Sequence, residues 1–133
     1  MRRRLGDARV GHLASTDASG APHVVPVCFA LEGDDVYWAV DQKPKSTRRL
    51  RRLDNLRANP LAELVADHYQ EDWVRLWWVR VQAEATVLEA GPESEHGLDL
   101  LAAKYEQYRE RRPDGPVVRL EIRRWSAWSA SGL

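Results

Sequence analysis

Within the stretch KPKSTRRLRRLDNLRANP, Lys43, Lys45, Arg48, Arg49, Arg51, Arg52 and Arg57 fall inside fifteen residues. A strand-like segment ends near Asp41, and a helix can start at Ser46 or Thr47, whose hydroxyls suit the capping position. Two ammonium groups, a hydroxyl and the free N–H groups of a helix start then converge on one point. Phosphate is the natural occupant of such a point. The helix dipole contributes about 0.3–1 kcal/mol, and each hydrogen bond to a charged group about 1.5–3 kcal/mol. The choice of cation is itself informative: of the 20 basic residues 17 are arginine and three lysine, and two of those three flank Pro44. Compact point charges are kept there while guanidinium groups are used elsewhere. Arg49, Arg51, Arg52 and Arg57 read instead as a solvated helix face.

Protein-based chemistry has little to work with. His12, His23, His68 and His96 are scattered without metal-ligand spacing, so no metal site is expected. Cys28 lies in an apolar strand, where an inert buried thiol is the ordinary state. The serines of SAWSASG lack the strand-turn-helix context of an activated nucleophile. No catalytic side chain is named by these patterns, and any catalysis falls to a bound cofactor. Tyr37, Tyr69 or solvent are the available proton donors.

The elements that must position these groups follow from the apolar periodicity. RVGHLAST, PHVVPVCFA, DVYWAV and LAELVAD are short β-branched or aromatic runs separated by turn-rich segments, and they predict strands. Between the third and fourth, Leu50, Leu53 and Leu56 form a narrow helical stripe that Asn59-Pro60 ends. VRLWWVRVQAEATVL predicts a long strand or bent pair, followed by a polar helix over about residues 93–111, a PDGP turn and a last strand, VVRLEIRRW. In the long strand Trp77, Val79, Val81, Ala83, Ala85 and Val87 share an apolar face and should point inward. Trp78, Arg80, Gln82, Glu84 and Thr86 share the other, a mixture suited to a subunit interface or a ligand wall. The expected fold is mainly β within the α+β class: a six-stranded antiparallel split β-barrel with two or so short helices.

Composition bounds the function classes. With 133 residues, 44% hydrophobic and 30% charged, the chain is expected to form one domain, residues 1–133, with a real core. Its 20 basic and 20 acidic residues balance, which disfavours a general nucleic-acid or membrane-surface binder. No apolar run is long enough for a signal peptide or a membrane span. A single cysteine excludes an internal disulfide and agrees with a reducing, cytoplasmic setting.

Three segments together carry a family resemblance: RVGHLASTDASGAPHVVPVCFAL, VYWAVDQKPKSTRRLRRLDNLRANP and DHYQEDWVRLWWVRVQAEATVL. The chain resembles the pyridoxamine 5′-phosphate oxidase-like split β-barrel superfamily of FMN-binding split barrel type, and within it the small F420-dependent deazaflavin reductases. The match covers roughly residues 8–90 and, more weakly, the last strand. This resemblance implies a homodimer with the cofactor in a groove at the interface. It implies a phosphate held by Lys43, Lys45, Ser46 and Thr47, with Arg48 beside them, and a flat ring against Val25, Pro26, Val27 and Cys28. Trp78 and Arg80 would wall the groove, from the second subunit. The implied reaction is hydride transfer from reduced F420 to a small electron-poor organic acceptor. Flavin-using relatives carry an arginine-rich phosphate motif and an arginine-containing C-terminal segment. This chain has KPKST and ends RRWSAWSASGL, which favours coenzyme F420 over FMN. The surplus arginines from Arg48 to Arg52 suit the carboxylates of the F420 tail, each exposed pair contributing about 0–1 kcal/mol.

Two other classes stand beside this one. An FMN- or heme-binding split barrel with oxidase or scavenging activity shares the fold. A non-catalytic anion or nucleic-acid binding module could use the basic helix, but single-strand binders interleave aromatic residues with their charges. None lies between Lys43 and Pro60.

Overall fold

The computed structural model of the chain describes residues 1–40 and 47–132, with side chains from Arg52 onward in the second stretch. Among these residues seven antiparallel strands form one sheet: β1 (Gly11–Thr16), β2 (Pro22–Val27), β3 (Ala30–Glu32), β4 (Asp35–Ala39), β5 (Leu61–His68), β6 (Trp77–Leu88) and β7 (Val117–Ser129). Their order is β2-β1-β5-β6-β7-β4-β3. This is the split-barrel arrangement, with seven strands where the sequence suggested six. The extra strand arises because PHVVPVCFA is not continuous: it breaks at Cys28-Phe29, and β3 begins on the opposite edge of the sheet.

Side-chain alternation in β6 is as expected. Val79, Val81, Ala83 and Ala85 are buried, Arg80 and Glu84 are exposed, and Trp77 and Val87 at the strand's ends are half-buried. The last strand runs beyond VVRLEIRRW to Ser129, and a register shift at Gln82/Ala83 lets the long β6-β7 pair bend around the core. Turn chemistry supports the hairpins: Asp17 Oδ1 accepts from the backbone N–H groups of Ser19 and Ala21 between β1 and β2. Gly33, at φ 60°, makes the two-residue turn between β3 and β4.

The helices are α1 (Arg2–Asp7), α2 (Thr47–Ala58), α3 (Pro92–Lys104) and α4 (Glu106–Glu110). A 3-10 turn at Trp73–Arg75 is capped by Asp72. Among the described residues four helices stand where two were expected. The polar helix over residues 93–111 is broken at Tyr105, whose backbone is extended. No periodicity announces α1, because its one apolar anchor is Leu5, fully buried in the core. Leu53 and Leu56 of α2 enter the main core cluster beside Trp38 and Val40. That places α2 over one end of the barrel, as the leucine stripe implies. α3 packs on the outer side of β4 through Leu98 and Leu101.

The approach of α3 to the sheet depends on Gly97. A Cβ there would lie 2.8 Å from Tyr37 Cδ1 and 3.0 Å from Val117 Cγ1. Both neighbours are buried. Gly97→Val is therefore expected to lose about 1–3 kcal/mol by overpacking. A urea unfolding midpoint equal to that of the native chain would show that the helix can lift without cost.

Candidate functional site

The topology creates a site where the barrel is split. β2 lies at one edge of the sheet and β3 at the other, yet only Cys28 and Phe29 separate them. β3 pairs with β4 from Ala30↔Tyr37 to Glu32↔Asp35, and that ladder ends at Ala30. Continued, the register would place Cys28 opposite Ala39. Instead β4 stays with β7, and Val40 N–H donates to Pro116 O at 3.0 Å. The chains diverge, and a cavity of about 240 Å3 opens between them. Pro26, Val27 and Cys28 form one wall and Trp38, Ala39 and Val40 another; Arg52 of α2 and Tyr108 of α4 complete it.

Expected site residues fall into distinct groups. Pro26, Val27 and Cys28 line the cavity together. Val25 is half-buried against the core and lies outside the lining. Lys43, Lys45 and Ser46 lie outside the described residues, as do the side chains of Thr47 and Arg48, whose backbone opens α2. Trp78 and Arg80 sit on the outward face of β6, with the guanidinium 5.4 Å over the indole and 4.0 Å from Glu63. They do not line the cavity.

One reading is corrected. Arg52 belongs to the cavity wall and is half-buried, so it is not part of a uniformly solvated face. Arg57, one and a half turns later, does fit that description, pairing with Asp54 and Glu89 on the surface. Neither Tyr37 nor Tyr69 lines the cavity: Tyr37 is buried beneath α3 and Tyr69 is 62% exposed on the β5–β6 connection. The tyrosine in the wall is Tyr108. Its signal in the sequence was KYEQY, two tyrosines at the i, i+3 spacing of a helix face.

The first of that pair, with its neighbour, clamps the crossing from β2 to β3. Tyr105 Oη accepts from Phe29 N–H at 3.0 Å and donates to Arg9 O at 2.8 Å. Tyr108 meets the Tyr105 ring edge-on, centroids 5.6 Å apart. Lys104, the third lysine of the chain, donates from Nζ to Ala8 O and Phe29 O and sits 4.1 Å over the Phe29 ring. Burial, reinforced by the nearby Arg9 charge, pushes the Lys104 ammonium down to about 8. Burial pushes the Tyr105 phenol up.

A lysine depressed on folding holds fewer protons than in the unfolded chain between pH 8 and its ordinary 10.5. Stability therefore rises with pH across that window. Against Lys104→Met, which lacks the titration, the native chain is expected to gain as pH climbs from 8 to 10.5. A stability difference between the two that stays constant through the window would refute the buried ammonium.

Among the described residues no group of three or more His, Cys, Asp or Glu side chains could hold a metal ion. None of their helices is long and apolar enough to cross a membrane. Trp38, whose indole N–H is buried without an acceptor, belongs to the cavity wall. The slot presents polar and apolar surface in about equal parts, with residues of two strand ends on two sides and Arg52 and Tyr108 completing it. It can hold a planar heteroaromatic ring; among the described residues it contains no nucleophile-base pair.

Sequence comparison matches residues 1–129 to the pyridoxamine 5′-phosphate oxidase family. The chain belongs to that family. No curated protein matches it in sequence, but solved structures share its fold. Conserved hypothetical protein Rv2991 from Mycobacterium tuberculosis superposes with TM-score 0.77 at 17% identity, covering 96% of this chain and 81% of that one. An FAD-binding protein from Mesorhizobium loti gives 0.72 at 21% identity, with 95% and 89% covered. HutZ, the heme storage protein from Vibrio cholerae, gives 0.67 at 18%, with 96% and 90% covered. Proteins that share this barrel are thus described with different cofactors, FAD in one and heme in another.

Proposed function

We propose that this family member is an F420-dependent reductase that moves hydride from the reduced deazaflavin to a small electron-poor organic acceptor. The observation that carries the reading is the cavity at the split. Pro26, Val27 and Cys28, assigned to the cofactor ring by resemblance, line one slot with Arg52 and Tyr108. The residues fit the group: Trp38 of the wall keeps an indole N–H without a partner, and Arg52 and Tyr108 add polar groups beside the strand residues.

At about 240 Å3 the cavity of one chain is below the roughly 300–1,000 Å3 of a complete small-molecule site. The remainder is supplied by a second subunit in this reading. Pro26 pairs with His12, His12 with Val65, and Val65 with Arg80, so Arg80 stands three strands from Pro26. At about 4.8 Å per strand that is roughly 14 Å. Arg80 and Trp78 can wall the ring only from a partner copy. The same outward face carries exposed Val24, Leu61 and Trp128, apolar area suited to a homodimer.

Lys43, Lys45, Ser46 and Thr47, with Arg48, are assigned to the phosphate, three or more residues beyond the Val40 wall. When bound, the deazaflavin supplies the hydride. The protein's part is to hold the ring, leave one face open to the acceptor and keep competing water out. KPKST in place of an arginine-rich flavin motif supports F420, with FMN as the alternative. The as-purified absorption spectrum, followed by titration with F420, FMN and hemin, tests this. Tightest binding of F420 is expected; preferential binding of FMN or hemin would replace the reading by the corresponding flavin or heme function.

A further inference from the structure

A second and larger cleft, of about 690 Å3, lies between α1 and the β5–β6 end of the barrel. It shares the β1–β2 ladder with the first: Pro26 lines one cavity, and its cross-strand partner His12 lines the other. We propose that this cleft is a binding site for a planar aromatic monoanion, its carboxylate at Arg4 and Arg9 and its ring beside Trp77 and His68.

The cations are positioned without being consumed. Arg4 is half-buried and its side chain forms no hydrogen bond or ion pair among the described residues; its guanidinium lies 5.4 Å over the Trp77 ring. Arg9 spends one N–H on Lys104 O at 3.0 Å and rests 4.6 Å over Tyr105. Stacking on aromatic rings orients a guanidinium while leaving its in-plane donors free for a carboxylate. Most other described arginines are paired with carboxylates, as Arg112 is with Glu95 and Asp99.

The aromatic part is equally ordered. His68 stacks on Trp77 with ring planes 16° apart, and Gln70 holds its Nε2 at 2.6 Å. Asp7 and Asp67 also line the cleft. Asp7 is partly offset by Arg3 at 3.8 Å, but the two carboxylates keep the local positive excess small. That excess suits one negative charge and disfavours a polyanion, while a cationic ligand would meet Arg4 and Arg9. The volume lies within the range of small-molecule sites, roughly 300–1,000 Å3.

Calorimetric titration of the full chain with 2-naphthoate and its neutral isostere 2-naphthamide tests the assignment. The carboxylate is expected to bind about tenfold tighter or better, through a charge-assisted bidentate contact. Arg4→Gln should erase that preference and Arg4→Lys keep part of it, both with unchanged melting temperature. Arg52→Gln, in the other cavity, should leave naphthoate binding as it is. Equal affinity for acid and amide, absence of binding, or sensitivity to Arg52→Gln but not to Arg4→Gln would each overturn the proposal.

Discussion

Replacing Phe29 by alanine is expected to cost about 3–5 kcal/mol, the range for emptying a buried aromatic site. Phe29 is fully buried and belongs to the main core cluster. Its ring is packed closely enough that a Cβ added at Gly11 would lie 3.1 Å from it. It also carries the Lys104 ammonium on its face, while its backbone N–H and C=O meet Tyr105 and Lys104. Against a total stability of about 5–15 kcal/mol, the loss is a large fraction. Because Phe29 follows Cys28 directly, the cavity wall should loosen with the core. Urea unfolding and cofactor titration of the same variant are expected to show both effects. A loss below about 1 kcal/mol would mean that surrounding side chains refill the space and that the split is not held by this ring.

The second large effect concerns cofactor affinity. Lys45→Ala and Arg52→Ala are each expected to weaken F420 binding by about 1.5–3 kcal/mol, the range for a hydrogen bond to a charged group. The two residues are chosen on different grounds. Lys45 follows from KPKST and the helix start, whereas Arg52 follows from its place in the cavity wall. Arg57→Ala is the comparison. It removes the same charge from the same helix, but its guanidinium is engaged with Asp54 and Glu89 at the surface, and it should change affinity by only about 0–1 kcal/mol. Dissociation constants at low and high salt separate local contacts from a diffuse field, which salt screens. Equal losses for all three variants, erased by salt, would remove the phosphate site and leave a merely basic helix.

Some features were legible because they depend on neighbours in the chain. The inward row Val79, Val81, Ala83 and Ala85 was readable because a strand's side chains alternate with period two whatever else the fold does. The extent of α2 was readable from a hydroxyl near its start, a leucine every three residues and Asn59-Pro60 at its end. The local cues in Lys43, Lys45, Ser46 and Thr47 suggested an anion site for the same reason. Tertiary structure decided what no local pattern encodes. The break at Cys28-Phe29 exists because the two edges of the sheet meet there, and it made seven strands of six. Arg52 and Arg57 look alike in sequence, but packing of Leu53 and Leu56 into the barrel sets the rotation of α2 and turns Arg52 toward the cavity. Tyr105 and Phe29 are 76 positions apart, yet a 3.0 Å hydrogen bond joins them and brings Tyr108 to the slot. Such contacts are absent from local periodicity because they form only when the chain buries its apolar faces together, and burial is a property of the assembled core.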